Sequence, residues 1–284
     1  MALIDNKYIE SLILFDSTVS AATAISQEVA GRPSPTSAHY YASVLFTRLC
    51  TNGVSLLYIA PRSRLVKPEF EHWDFAAIAS LVRNLIECYL TFYYLCVDTI
   101  AQDEWDCRWN LFNLHDCQRR RKLFEHFGSS QEELAAWDEQ AKDLKERLTS
   151  NPFFCSLNRQ LQADCLKAKK AFILSRDDLI ARMGLNVSKI RGYYLLLSSQ
   201  VHSYPLGFYR TGEGGRGRGI ENDVEKRHIE WALTSAKFFL QRASKEMISL
   251  FPGSESCLSA QGREALFVLP EDDLGITRTS CGQE

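Results

Sequence analysis

The chain has 284 residues, of which 45% are hydrophobic and 24% are charged, so it is long enough to bury a core without disulfide staples. Its 33 basic and 35 acidic side chains give a net charge of −2. Overall charge therefore gives no pull toward nucleic acid or membranes, and any such contact needs a local basic patch. With 15 glycines and 8 prolines, turn residues are scarce, which excludes collagen-like and low-complexity chains and favours helices.

The nine cysteines include no C-x-x-C pair of the kind that zinc ribbons and redox motifs need. Most of them lie in apolar helical patterns, where a thiol behaves as a small hydrophobic group. The N-terminal residues MALIDNKYIE lack the basic region and apolar run of a signal peptide. These features predict a cytoplasmic protein with no cofactor and no metal.

Apolar residues recur at helical spacing in five segments of the first half of the chain. The predicted helices cover 4–29, 36–59, 72–98, 101–127 and 130–148. The third of them is apolar nearly all round, so it is predicted to be the long central helix of a bundle. Ser130 and Glu133 have the spacing of a capping box at the start of the fifth.

Residues 75–97 are long and apolar enough to span a bilayer, but three polar side chains lie near the centre of this segment. They are Arg83, Asn84 and Glu87. Placing charge at the centre of a bilayer is energetically costly. We therefore predict a buried helix of a soluble protein, with no membrane partner.

The second half of the chain predicts four further helical regions, near 152–171, 176–183, 188–203 and 222–251. Between the last two, residues 207–219 hold six glycines beside Arg216 and Arg218, which predicts a mobile loop. Residues 1–251 are predicted to form a single all-helical bundle domain with no significant sheet. Residues 252–284 are predicted to be a C-terminal tail that is partly disordered.

Two helices carry polar side chains at helical spacing on otherwise apolar faces. Arg83 and Glu87 share one face of the third helix, with Asn84 beside them. The helix before the glycine-rich loop carries a polar stripe, which consists of Arg191, Tyr194, Ser198 and His202. Because buried polar groups need partners, we predict that the two sets converge. The cluster is then either a functional pocket or a structural clasp.

Glu69-x-x-His72 and Glu225-x-x-His228 have the spacing of ligand pairs in carboxylate-bridged dimetal sites. Both pairs fall at predicted helix starts among charged neighbours, whereas such ligands lie in the middle of a bundle. This pattern remains an alternative to the prediction that the chain holds no metal.

Basic residues are concentrated at 119–122 and at 210–218. A basic run on a helix is more often a solvated face, and glycine-rich segments cradle phosphate when they follow a strand and open a helix. Two pairs also have the Arg…His spacing of helical ribonucleases, namely Arg108-x6-His115 and Arg121-x4-His126.

The helix SLVRNLIECYLTFYYL, with its R-x-x-x-E motif, and the later helix YYLLLSSQVHS, with its Y-x-x-x-S-x-x-x-H motif, resemble a bacterial helical domain family of unknown function. The segment RWNLFNLHDCQRRRKLF resembles the helix that those proteins place between the two motifs. The resemblance covers roughly Ile13 to Leu250. More distantly, the chain resembles HEPN bundle domains, many of which are metal-independent endoribonucleases that act as dimers. HEPN nucleases carry R-x4-6-H on one helix, whereas Cys88 lies five positions after Arg83.

The resemblance implies an RNA- or nucleotide-binding protein, or a metal-independent endoribonuclease, that acts as a homodimer in phage defence or another stress response. The catalytic residues would then be Arg83, Glu87 and His202. The residues that bind or orient the substrate would be Asn84, Arg191, Tyr194, Ser198, Arg216 and Arg218. The alternative is a non-enzymatic interaction or ligand-binding module in which the same cluster is a structural clasp. Whether the chain is an enzyme stays open at this point.

Overall fold

The structure is a computed structural model that describes residues 2–202, 204–268 and 275. In this part of the chain it contains twelve α-helices, short 3-10 and π-helical segments, and no strand. The helices are α1 Ala2–Val29, α2 Ser37–Ile59, α3 Phe75–Phe92, α4 Gln102–His126, α5 Gln131–Ser150, α6 Pro152–Ser156, α7 Arg159–Leu166, α8 Arg176–Arg182, α9 Val187–Val201, α10 Pro205–Thr211, α11 Asp223–Leu250 and α12 Ala260–Arg263. The predicted all-α class without significant sheet is confirmed.

Capping side chains explain where several helices begin. The predicted capping box of α5 is present, because the Ser130 side chain accepts from the Glu133 N–H and the Glu133 carboxylate accepts from the Ser130 N–H. The central helix begins later than predicted, since Asp74 accepts from the N–H groups of Ala76 and Ala77 and so caps α3 at Phe75. A π-helical segment over Tyr93–Val97 extends α3 at its other end.

The single helix predicted over 152–171 is wrong. The chain forms two short helices there, α6 and α7, because Asn158 begins a second helix. Its side-chain oxygen accepts from the Leu161 N–H at 2.9 Å, which is the geometry of a new N-cap.

The described residues group into two compact units. Unit 1 comprises the chain up to Val97 and again from Ile180, and unit 2 comprises Asp98–Leu179, which is inserted in sequence between the two parts of unit 1. This grouping describes compactness and not independent folding. The single bundle domain over 1–251 therefore stays a prediction.

Unit 1 is built around α3, which contacts α2, α9 and α11. α1 packs along α11 and α2. The predicted central position of the third helix in a bundle is thus confirmed for this unit. The face of α3 inside it carries large apolar side chains, among them Val82, Leu85 and Phe92, which are completely buried.

Unit 2 is an α4–α5 hairpin that also packs against α6. Buried side chains from these helices and from α7 form one apolar core, which includes Cys107, Leu111, Leu114, Leu144, Leu148, Phe154 and Cys165. The cysteines of this core behave as small hydrophobic groups, as the sequence predicted.

The predicted C-terminal tail is ordered over its first part. Residues Ser254–Cys257, α12 and Glu264–Val268 are helical and contact α1, because Leu258 and Leu266 are buried. The prediction that the tail over 252–284 is partly disordered stays a prediction. Residues 269–274 and 276–284 lie outside the described residues, so the prediction for them is not tested.

Three segments are long and apolar enough to cross a membrane by length and composition alone. They are Ile4–Val29, Ser37–Ile59 and Phe75–Val97. About half or less of the most apolar part of each is buried within the fold, and the structure contains no membrane. The absence of a membrane partner therefore stays a prediction.

Candidate functional site

The two predicted polar sets meet at one point, where α3 packs against α9. The guanidinium carbon of Arg83 lies 6.0 Å from the centroid of the Tyr194 ring. The Nη2 atom of Arg83 lies 3.9 Å from Glu87 Oε1, and the two side chains are 25% and 43% exposed. The expectation that this pair is cut off from water is therefore wrong. A pair this exposed contributes less than about 1 kcal/mol to stability.

Asn84, a predicted substrate-binding residue, is turned toward α2. Its side-chain amide donates to the Oδ1 atom of the buried Asn52 at 3.4 Å. Of the other predicted residues on α9, Ser198 is half-buried and Arg191 is exposed.

The directions of α3 and α9 separate the predicted catalytic residues. In the middle of the two helices, Arg83 of α3 contacts Tyr194 of α9. Ala76, at the start of α3, lines the same cavity as Gln200, at the end of α9. The two helices are therefore antiparallel, so Glu87 lies on the Arg191 side of this contact, whereas Ser198 and His202 lie on the other side.

His202 lies at the far end of α9 from Arg83. Eight residues separate Tyr194 from His202, which is about 12 Å along a helix axis. The His202 ring is exposed and stacks on Tyr204, with the two centroids 5.2 Å apart. The predicted convergence of His202 with Arg83 and Glu87 is not found.

The loop predicted over 207–219 is wrong in its first part, which belongs to α10. Gly207 explains why a glycine-rich stretch is helical here. A Cβ atom on Gly207 would lie 2.2 Å from the carbonyl oxygen of Ser199, so only glycine lets α10 pack this closely on α9. The arginines of this segment are also less free than predicted, since Arg210 pairs with Glu213 at 2.5 Å.

Arg216 and Glu225 form a buried ion pair. The Nε atom of Arg216 donates to Glu225 Oε2 at 2.9 Å, and the two side chains are 8% and 3% exposed. Glu225 Oε1 accepts from the Phe75 N–H at 2.9 Å, and the Arg216 guanidinium carbon lies 5.4 Å from the Phe75 ring centroid. This pair ties the glycine-rich segment to the first turns of α3 and α11.

The same pair weighs against the dimetal alternative, because the Glu225 carboxylate is engaged by Arg216. The other potential ligands, Glu69 and His72, are exposed. Within the described ranges there is no group of three or more His, Cys, Asp or Glu side chains that could hold a metal ion.

A cavity of about 320 Å³ lies between the start of α3 and the glycine-rich segment. We name it the arginine cavity; its polar lining is His72, Asp74, Gln200, Arg216, Arg218 and Glu225. Gly219 closes one side, where φ is 73° and an added Cβ would lie 2.2 Å from the His72 ring. The Gly219 carbonyl accepts from the Trp73 N–H at 3.1 Å, which fixes this wall to the chain segment before α3.

A second cavity of about 480 Å³ lies between α9, α10 and the start of α11. We name it the apolar cavity because Leu196, Leu206 and Val224 contribute to its walls, beside His228. Gln200 and Arg216 line both cavities, so the two cavities adjoin.

Three aromatic rings stand exposed on or directly before α10, the helix that contributes Leu206 and Arg210 to the apolar cavity. Tyr204, Phe208 and Tyr209 are 63%, 66% and 70% exposed, and the exposed Arg210 follows them directly. The sequence alone identified neither these rings nor Gln200, and it identified His228 only as a ligand of the dimetal alternative. The sequence SYPLGFYR shows that aromatic residues are concentrated between the polar stripe and the glycines. Whether these rings are exposed depends on how α10 packs, which the sequence does not show.

A network of charged side chains surrounds Trp73, whose N–H binds Gly219 in the wall of the arginine cavity. Lys226 is buried and donates to Asp5 and Glu221, each at 2.6 Å. Arg62 donates to the same two carboxylates at 2.6 and 2.8 Å. Both cations lie 5.6 Å from the centroid of the Trp73 ring. The network therefore joins the start of α1, the loop after α2 and the start of α11.

This network predicts an acid-sensitive fold. Hydrogen bonds from Lys226, with help from Arg62, hold the pKa of Asp5 and of Glu221 below their ordinary values of 3.8 and 4.5. The stability that a carboxylate with a lowered pKa contributes is present above its unfolded pKa and is lost as pH falls through its folded pKa. We expect the melting temperature to fall below about pH 4.5, and to fall less steeply in an Asp5→Asn, Glu221→Gln variant.

Thermal melts from pH 3 to pH 7 check this expectation, with Glu10→Gln, an exposed change on α1, as the control. The expectation would be contradicted if the melting temperatures of the native protein and of the double variant fell equally steeply from pH 7 to pH 3.

A model of a family of unknown function (DUF5677) matches residues 39–217, which is more than half of the chain. This match confirms the predicted resemblance to a family of unknown function, and it covers both polar sets and Arg216. Neither a curated protein nor a solved structure matches the chain.

Proposed function

We propose that the chain, which belongs to the DUF5677 family of unknown function, binds single-stranded RNA. The binding surface consists of Tyr204, Phe208, Tyr209, Arg210 and Arg218, and we name it the aromatic surface. The observation that carries the proposal is the exposure of three aromatic rings on or directly before α10, the helix that also contributes Leu206 and Arg210 to the apolar cavity.

The chemistry of this surface suits unpaired nucleotides. Bases stack on aromatic rings whatever their identity, and arginines attract the phosphates between them. Leaving large rings in water is unfavourable by about 25 cal/mol for each Å² of apolar area, and contiguous exposed apolar patches mark interaction sites. Tyr209 and Arg210 are adjacent in sequence, and a phosphate beside a stacked base would compete with Glu213 for the exposed Arg210 guanidinium.

RNA cleavage is a second candidate function, favoured by the position of His202. Its exposed imidazole stacks on Tyr204 of the aromatic surface, and imidazole is the usual general acid or base near neutral pH. In this proposal His202 takes the proton of a ribose 2′-hydroxyl, and the 2′-oxygen bonds to the adjacent phosphorus while the P–O5′ bond breaks. The products are a 2′,3′-cyclic phosphate and a 5′-hydroxyl that takes its proton from water. Arg218, in place of the predicted Arg83, holds the phosphate. Glu87 lies toward the other end of α9 and has no part in the step.

The distant resemblance to HEPN domains also favours RNA as the ligand. A cytoplasmic location, a homodimer and a role in phage defence or another stress response stay predictions from the sequence.

Loss of the rings is expected to weaken RNA binding strongly. Each base that stacks on an aromatic ring contributes about 1–3 kcal/mol. A Phe208→Ala, Tyr209→Ala variant, which removes two rings, should therefore raise the Kd for a fluorescein-labelled, mixed-sequence 12-nucleotide RNA by about 30-fold or more in anisotropy titrations. Arg218→Ala should also reduce the slope of log K against log salt by about 0.7, since one phosphate contact is lost.

Tyr58→Ala and Arg48→Ala are matched controls, because both residues are exposed on α2 of the same unit. They should leave Kd unchanged. Equal binding by the ring variant and the controls, or an effect of Arg119→Ala alone, would overturn the proposal. Denaturing gels of the same RNA with His202→Ala test the second candidate.

A further inference from the structure

We infer that the two cavities together hold one nucleoside monophosphate unit, with its base in the apolar cavity and its phosphate in the arginine cavity. The inference rests on the proposed RNA binding and names the part of the ligand that is enclosed. This enclosed site is distinct from the three rings of the aromatic surface, where further bases stack, and Arg218 belongs to both.

The first support is the geometry of the two cavities. Their volumes of about 480 and 320 Å³ fall within the range of small-molecule sites, which begins near 300 Å³. They adjoin through two shared lining residues, Gln200 and Arg216. A base and its phosphate are linked through one sugar, so a nucleotide requires two neighbouring compartments of this kind.

The second support is the contrast between the two linings. Leu196, Leu206 and Val224 give the apolar cavity walls on which the face of a base can pack. The charged side chains of the same lining are paired, Arg210 with Glu213 and Arg216 with Glu225. The arginine cavity has Arg216 and Arg218 in its wall. A flat apolar group and a charged group are thus accommodated on opposite sides of the shared residues.

Arg218 is the residue that supplies charge to the phosphate. The charge of Arg216 is offset by Glu225 at 2.9 Å, and both side chains are buried, so Arg216 fixes the shared wall. Arg218 is exposed, and among the described residues no carboxylate forms an ion pair with it. The remaining carboxylate of the cavity, Asp74, accepts two N–H groups of the first turn of α3.

Two polar side chains can orient the base. The Nδ1 atom of His228 lies 2.7 Å from the Val224 carbonyl oxygen; because a carbonyl only accepts, Nδ1 carries the proton and Nε2 is the acceptor of the neutral ring. The Gln200 amide donates to the Ser199 hydroxyl at 3.2 Å, which fixes the amide plane. An imidazole acceptor and an amide with both donor and acceptor atoms suit the hydrogen-bonding edge of a base.

The ring of His228 is itself held in place by the shared wall. Its centroid lies 5.0 Å from that of Phe75, and the Arg216 guanidinium carbon lies 5.4 Å from the Phe75 ring on the arginine side. Phe75 of α3 therefore contacts both His228, which lines the apolar cavity, and Arg216, which lines both cavities.

Calorimetric titration of the full chain with AMP, UMP, adenosine and ribose 5-phosphate tests the inference. We expect AMP or UMP to bind at least tenfold more tightly than adenosine and ribose 5-phosphate, since each of these lacks one half of the ligand. Arg218→Ala should weaken AMP or UMP binding at least tenfold and leave adenosine binding unchanged.

Leu206→Trp should fill the apolar cavity and abolish binding of AMP and UMP. Leu195→Trp is its matched control, because Leu195 is exposed on α9 and lies outside the lining of the apolar cavity. Circular dichroism melts of both variants confirm that each one is folded.

The failures of the two proposals are distinguishable. If the labelled RNA binds through the aromatic surface but AMP and UMP do not bind, or if Leu206→Trp leaves their binding unchanged, the nucleotide site is wrong and RNA binding stands. If AMP or UMP binds with the expected response to Leu206→Trp while the RNA does not bind, the nucleotide site stands and RNA binding is wrong. If neither ligand binds, both are wrong.

Discussion

Replacing Arg108 by alanine is expected to lower the unfolding free energy of unit 2 by about 3–5 kcal/mol. The guanidinium is fully buried, with Nη2 at 2.8 Å from Asp98 Oδ2 and at 2.5 Å from Glu104 Oε1. The two carboxylates are themselves only 5% and 16% exposed. The variant would therefore keep two buried negative charges without the cation that stabilises them.

Amide hydrogen exchange checks this result, because it shows which unit loses protection. Arg120→Ala is the matched control on the same helix, since Arg120 and Asp116 pair while about half exposed and such pairs contribute less than about 1 kcal/mol. Equal losses of protection for the two variants would contradict the expected role of Arg108.

This burial also bears on the ribonuclease-like spacing Arg108-x6-His115. A guanidinium enclosed between Asp98 and Glu104 is not accessible to a phosphate. The spacing is therefore a product of helix periodicity in unit 2, and it does not identify a catalytic pair.

Replacing Glu225 by alanine is expected to lower the unfolding free energy by about 3–5 kcal/mol and to abolish ligand binding. The variant leaves Arg216 buried without its partner, and it removes the acceptor of the Phe75 N–H. An unsatisfied buried donor adds about 1–3 kcal/mol of cost. Both cavities share Arg216 as a wall, so both should change shape.

Urea unfolding of the variant measures the stability loss. Glu213→Ala is its matched control, because Glu213 and Arg210 form an exposed pair. Adding Arg216→Met to Glu225→Ala should recover much of the lost stability, since an apolar pair can replace a buried ion pair, but should not restore binding. A loss no larger than that of Glu213→Ala would show that the buried pair does not hold the wall.

Helix positions were largely predictable because their signals are local. Ser130 and Glu133 lie in the same turn, and their mutual capping needs no other part of the chain. Asn222 likewise begins α11 as predicted, by accepting from the N–H groups of Val224 and Glu225.

The candidate site was less predictable because it depends on the relative direction of helices. Periodicity showed that Tyr194 and His202 share a face of α9, and packing against Arg83 was predicted correctly for Tyr194 alone. Sequence spacing does not reveal that α9 runs antiparallel to α3, which takes His202 away from Glu87. The predicted convergence therefore holds for Arg83 with Tyr194 and fails for His202.

Glycine composition misled the prediction of α10 for a related reason. Glycine usually raises backbone freedom, but Gly207 is required by its contact with Ser199, and this contact comes from tertiary packing. Once α10 is a helix, Phe208 and Tyr209 are displayed at fixed positions on the surface. The functional proposal depends on this feature, which composition alone concealed.

Photocrosslinking with single-stranded RNA that contains 4-thiouridine is the most direct test of RNA binding by the aromatic surface. Mass spectrometry of the digested complex should place the crosslinks on residues 204–218, and they should disappear in the Phe208→Ala, Tyr209→Ala variant. Crosslinks that fall instead on the basic run at 119–122, and persist in that variant, would contradict the proposed function.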